Sequence, residues 1–96
     1  MQISQLKDKE KIDKIEVRII WLKDGAEQKF GKTIQLAIVA DANLEKGPTA
    51  YLDLYNENCN KFKKGDKILI TDAWCKLMNN GSGQFWITNT TKVELI

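Results

Sequence analysis

Tyr55, Trp74 and Phe85 stand in three segments with the alternation of β-strands, at 50–55, 67–77 and 84–88. A lysine-bearing turn with Lys61, Lys63, Lys64, Gly65 and Asp66 lies between the first two. Aromatic rings on neighbouring strands with lysines around them form a platform for unpaired bases: the rings stack and the cations meet the phosphates. Tyr51 shares the face of Tyr55, because residues two apart on a strand point the same way. Asp53 lies between them and would be costly in a core. The face carrying Tyr51, Asp53 and Tyr55 is therefore expected to meet solvent or ligand. Phe85 and Trp86 are adjacent, so one of them must face in. The expectation is Phe85 outward and Trp86 in the core, together with Trp21 and Phe62. Phe30 falls in a loop that can close over a ligand.

The charge pattern fits loose backbone contact better than base reading. Net charge is only +2, and of fifteen cationic side chains Arg18 is the single arginine. Lysine meets phosphate as a point charge, whereas arginine is the usual reader of base edges. A binder of this composition is expected to show weak sequence preference. Lys76, beside Trp74, and Lys32, at the start of the second strand, are the candidate phosphate contacts. Arg18, on the outward face of the first strand, can pair with a phosphate or stack on a base.

Other chemistries find little support. Histidine is absent, which removes the commonest general base and metal ligand. No Cys-x-x-Cys pair, phosphate-binding glycine loop or dinucleotide fingerprint occurs. No catalysis, metal or cofactor is expected. Cys59 and Cys75 are too few for a disulfide framework and read as reduced thiols. With no secretory leader and no apolar run of membrane-spanning length, a nuclear or cytoplasmic protein is expected.

The elements that position these residues follow from periodicity. At 96 residues with 43% apolar content, one small-core domain over 1–96 is expected, led by a charged coil or single turn at 1–14. Ile15, Val17, Ile19 and Trp21 alternate as the buried face of a first strand. Residues 23–32 read as a polar loop. In the second strand, 33–40, Ile34, Leu36 and Ile38 are expected inward. The connection 41–49 carries Gly47 and Pro48. In the third strand, 50–55, Leu52 and Leu54 point in. Residues 56–62 can make a short helix that packs Cys59 and Phe62, followed by a turn at Gly65 and Asp66. The fourth strand spans 67–77, a hairpin turn 79–83, and the fifth strand 84–88. The tail 92–96 alternates and extends that strand or pairs again. This order is that of an all-β, five-stranded OB-fold barrel with a short helix between strands three and four.

Three stretches carry a resemblance: Val39-Ala-Asp41; residues 52–57, Leu-Asp-Leu-Tyr-Asn-Glu; and residues 62–71, Phe-Lys-Lys-Gly-Asp-Lys-Ile-Leu-Ile-Thr. The chain resembles, over about residues 15–96, the simple single-OB-domain single-stranded-DNA-binding proteins. These comprise the archaeal type and the B subunit of the eukaryotic sensor-of-single-stranded-DNA complex, relatives of the replication protein A domains. The resemblance implies that Tyr55 takes the place of a stacking Trp at the end of strand three and Trp74 that of the strand-four aromatic. Met78 matches a second apolar stacker and Phe85 or Ile87 the strand-five aromatic. Met78 departs from the family pattern. So does the connection 42–49, which is longer than the usual tight turn.

The expected function is largely sequence-independent binding of single-stranded DNA in repair or replication, through Tyr55, Trp74 and Phe85. RNA is an open alternative ligand, since the same platform accepts it. A second alternative is a protein-interaction subunit of a replication- or telomere-type complex that buries Tyr51 and Tyr55. With the sequence ending at Ile96, partner contacts are expected on the barrel, opposite the platform or along 42–49 with its Leu44. The isolated domain is expected to be a monomer on a strand of about 4–8 nucleotides.

Overall fold

A computed structural model describes residues 2–42, 47–78 and 83–96. Among the described residues seven strands form one sheet: β1 (Glu10–Leu22), β2 (Glu27–Lys29), β3 (Lys32–Asp41), β4 (Thr49–Tyr55), β5 (Lys67–Leu77), β6 (Gly83–Trp86) and β7 (Lys92–Leu95). Five of them close into a barrel in the order β1-β3-β4-β6-β5, with β5 returning to β1. All ring pairings are antiparallel except β4 with β6. β2 adds a hairpin onto β3, and β7 pairs with the half of β5 that β6 leaves open. This is the all-β, OB-fold architecture. Closure removes the sheet edges of the ring.

The interior is filled mainly from the two longest strands. Ile12, Ile15, Val17 and Ile19 of β1 meet Ile68, Ile70, Ala73 and Cys75 of β5, with Leu52, Leu54 and Phe85 from β4 and β6. Smaller side chains complete it, Ala37 and Val39 of β3 and Ala50 of β4. Gln35 is buried with them, and both ends of its amide are satisfied: it donates to the Lys23 carbonyl and accepts from the Asn60 N–H, each at 2.8 Å.

Four expectations are corrected here. Residues 1–14 are not simply a lead-in. A 3-10 turn at Ile3–Gln5 and Leu6 cover the barrel, with Ile3 and Leu6 buried, and β1 already begins at Glu10. The Ile3 N–H donates to Asp41 Oδ1 at 2.6 Å, which anchors the turn. The short helix is a single 3-10 turn, Asn56–Asn58. Phe62 is buried as expected, and the half-buried Cys59 thiol donates to the Leu54 and Thr33 carbonyls. The polar loop at 23–32 contains β2, joined to β3 by a two-residue turn in which Phe30 (φ 51°) and Gly31 (φ 73°) are both left-handed. That sign at both positions suits the right-handed twist of a hairpin.

The fourth correction concerns β3. Its inward face is Gln35, Ala37 and Val39, so Ile34, Leu36 and Ile38 point outward. The cross-strand register fixes this: Leu36 is opposite Asp53 and Ala37 opposite Leu52, so each face of β3 continues the same face of β4. The more apolar half of β3 thus lies on the outer surface. The expected hairpin turn 79–83 and Leu44 lie outside the described residues, apart from Gly83, the first residue of β6.

Candidate nucleic-acid interface

The outer surface of β3, β4, β6 and β5 is a continuous sheet face whose rows are set by register. One row runs from Trp21 on β1 to Ile38, Tyr51, Gln84 and Lys76 on β3, β4, β6 and β5. In the next, Leu36 is opposite Asp53, and Trp86 on β6 is opposite Trp74 on β5. A third pairs Ile34 with Tyr55. Three tryptophans and two tyrosines therefore share one face.

Two local irregularities put tryptophans there. In β1, the register with β3 slips between Ile19 and Trp21, so one extra residue enters the strand. A bulge of this kind reverses the alternation beyond it. Trp21, expected in the core, is consequently 43% exposed. In β5, Ile68 and Ile70 point in, but so do Ala73 and Cys75, and the phase changes across Asp72. Asp72 has φ 58°, a left-handed conformation rare within a strand. Without that reversal Trp74 would share the inward face of Ile68 and Ile70. Instead it is 41% exposed. The Asp72 carboxylate accepts from Thr90, its carbonyl accepts from Thr91, and Lys11 forms an ion pair with it at 3.2 Å. The Thr90 hydroxyl and then Lys11 hold the Asp72 carboxyl below the usual aspartate range.

Phe85 and Trp86 exchange their expected places. Phe85 is buried beside Cys75, while Trp86 is 46% exposed opposite Trp74. The flip in β5 decides this, since β6 must match its faces. Phe85 is a core residue and not part of the platform. The sequence signal for Trp86 is Gln84: a polar residue two positions earlier belongs outside and carries Trp86 with it. For Trp21 the signal is the unbroken run Ile19-Ile20-Trp21-Leu22, which no regular half-buried strand accommodates.

The other expected residues are placed as follows. Tyr51, Tyr55, Trp74 and Lys76 are brought together on the face. Lys76 Nζ lies 5.5 Å from the centre of the Trp86 ring, and Lys32 Nζ 5.6 Å from that of Tyr55. Both are cation–π distances. Two rings of the face thus each carry a lysine. Met78 follows the end of β5, exposed, beyond the last β5–β6 pair. Arg18 lies at the margin, opposite Ala40 on β3 and Lys67 on β5. Phe30 is 99% exposed at the β2–β3 hairpin tip.

Electrostatics on the face centre on Asp53. Burial pushes its carboxyl above the usual aspartate range, with the Lys29 charge opposing the rise. Burial, and then the Asp53 charge, push the Tyr55 phenol up as well. A cleft of about 220 Å³ opens beside Tyr55, between Lys32, Asn56 and Thr88. The Cys75 thiol, deep in the barrel, is pushed up by burial and suits a packing role.

No family model matches the chain, and no curated protein does. Among solved structures, the chain is similar to the solution NMR structure of a replication factor A related protein from Methanobacterium thermoautotrophicum. The TM-score is 0.76 at 18% identity, covering 100% of this chain and 89% of that one. At that identity the likeness carries the fold. Among the described residues no helix is long and apolar enough to cross a membrane.

Proposed function

We propose that this chain is a non-catalytic binder of single-stranded nucleic acid, DNA in the first instance, acting in replication or repair. The observation that carries the reading is the pair Trp74 and Trp86, opposed across β5 and β6 and half-exposed, with Lys76 over the Trp86 ring. Large exposed rings are unusual on a free surface and are suited to base stacking. Tyr55 with Lys32 repeats the arrangement at the other side of the face. Tyr51 shares β4 with Tyr55 in the upper row, and Trp21 ends that row on β1. The strand would run across the four outer strands, bases on the rings and phosphates toward Lys32 and Lys76. Phe30, fully exposed at the hairpin tip, would close over it. The solved neighbour's name, a replication factor A related protein, supports the same direction.

A protein-interaction subunit is the competing reading. The lysines seated over two of the rings favour a polyanion over an apolar protein surface. Titration with a mixed-sequence strand, its duplex and a matched RNA strand, read by tryptophan fluorescence, tests the proposal. Trp21, Trp74 and Trp86 all lie on the proposed face, so binding of single strands quenches strongly. Unchanged fluorescence and no complex by gel shift refute it.

A further inference from the structure

Asp53 does not fit a uniform stacking platform. A carboxylate in the middle of a surface meant for a polyanion repels phosphate. Its position is also unfavourable in itself, being half-buried between Tyr51 and Tyr55 with Leu36 opposite. Among the described residues it has neither a hydrogen-bond donor nor an ion-pair partner. Lys23 and Lys29, which line the same hollow, both pair with Glu27, and the Lys29 charge reaches Asp53 without forming an ion pair with it. A half-buried acceptor left open in this way is either a liability or a ligand contact. A hollow of about 120 Å³ lies directly against it, walled by Ile34, Leu36, Lys23, Lys29 and Glu27. Trp86, with Lys76 over its ring, lies on the same face of the neighbouring β6, and no further acid faces Asp53 from there.

We propose that Asp53 reads a nucleobase, accepting hydrogen bonds from guanine in preference to the other bases and disfavouring thymine and uracil. The inference rests on the single-strand reading above and adds base preference to it. An ionised carboxylate is acceptor-only, with two oxygens able to take a two-pronged donor. Guanine presents such a fork, because N1–H and the 2-amino group lie side by side on its Watson–Crick edge. The geometry parallels the paired N–H groups of an arginine, and charge-assisted bonds of this kind are short and strong. Cytosine and adenine each offer one amino donor beside a ring-nitrogen acceptor. Thymine and uracil offer one N–H between two carbonyls, whose lone pairs face the carboxylate oxygens. The apolar neighbours Leu36 and Ile34 lower the local dielectric and magnify both the attraction and the repulsion. The rings to either side hold the base by stacking, which is indifferent to base type. Discrimination is therefore left to Asp53.

The test compares a homothymidine strand of about nine nucleotides with the same strand carrying one central dG, dC or dA, by fluorescence titration of wild type and Asp53→Asn. The wild type should bind the dG strand about fivefold tighter or more than homothymidine, and Asp53→Asn should bring that ratio within about twofold, mainly by strengthening homothymidine binding. Asparagine is isosteric and offers both a donor and an acceptor, so it tolerates thymine. Equal wild-type affinity for the dG and homothymidine strands overturns the inference and leaves the single-strand reading standing. So does a dG preference that survives in Asp53→Asn. Failure of every strand to bind overturns both.

Discussion

Trp74 and Trp86 are direct cross-strand partners on the outer face of β5 and β6, and Lys76 sits over the second of the two rings. Neither tryptophan is needed to fill the barrel, since Phe85 and Cys75 occupy the inward side of the same strands. Trp74→Ala and Trp86→Ala are each expected to weaken single-strand binding by about 1–3 kcal/mol while leaving the melting temperature nearly unchanged. Phe85→Ala is expected to behave in the opposite way, costing about 3–5 kcal/mol of stability through the cavity it leaves. Thermal melts alongside oligonucleotide titrations separate the two outcomes. A folded, non-binding Phe85→Ala would show the faces of β6 to be reversed.

Asp72 holds the turn of phase that exposes Trp74. Its carboxyl lies below the usual aspartate value of 3.8, so its contribution to stability is present above that pH and is lost as pH falls through the lower folded value. Asp72→Asn keeps the left-handed backbone accessible but removes the charge, so the wild type should be the more stable at neutral pH. The gap should close in melts well below pH 3.8. Asp72→Val, which resists positive φ, should lose binding as well as stability.

Asp53 predicts the reverse. Its folded carboxyl lies above 3.8, so in the window above 3.8 the folded state holds its proton more tightly than the unfolded one. Stability therefore falls as pH rises through that window. Asp53→Asn should melt higher than wild type at neutral pH and lose that advantage in acid. A binding residue that is costly to the free fold is a familiar exchange of stability for function.

Salt should weaken binding. If two to four lysines, Lys32 and Lys76 among them, meet phosphates, the log–log slope on single strands should be about −1.5 to −3. Lys76→Ala should make it shallower by about 0.7. A slope near zero would leave the lysines as a solvated surface.

The parts of the fold legible in the sequence were those where alternation and tertiary position agree. In β4, Leu52 and Leu54 point in and Tyr51, Asp53 and Tyr55 out, because a charge in the middle of a strand settles which face is wet. The bounds of β5, 67–77, were legible as well. The faces of β3 were not: Ile34, Leu36 and Ile38 outweigh Gln35, Ala37 and Val39 in hydrophobicity, yet the narrow barrel takes the smaller set and the outer face keeps the larger. Trp21 and Trp86 were hidden for a related reason. A bulge in β1 and a left-handed residue in β5 shift the phase, and strict alternation carried along each strand misses both shifts. Trp74 faces outward, as the resemblance implies, although unbroken alternation from Ile68 and Ile70 would turn it inward.

The aromatic face is proposed to take unpaired bases. A fluorescence titration at one salt concentration, with a mixed-sequence single strand and the blunt duplex formed from it, tests that most directly. Binding to the single strand is expected to be tighter by about tenfold or more, because stacking needs bases free of a partner. Equal affinity for the two forms would contradict it and reduce the aromatic face to a bystander of charge attraction.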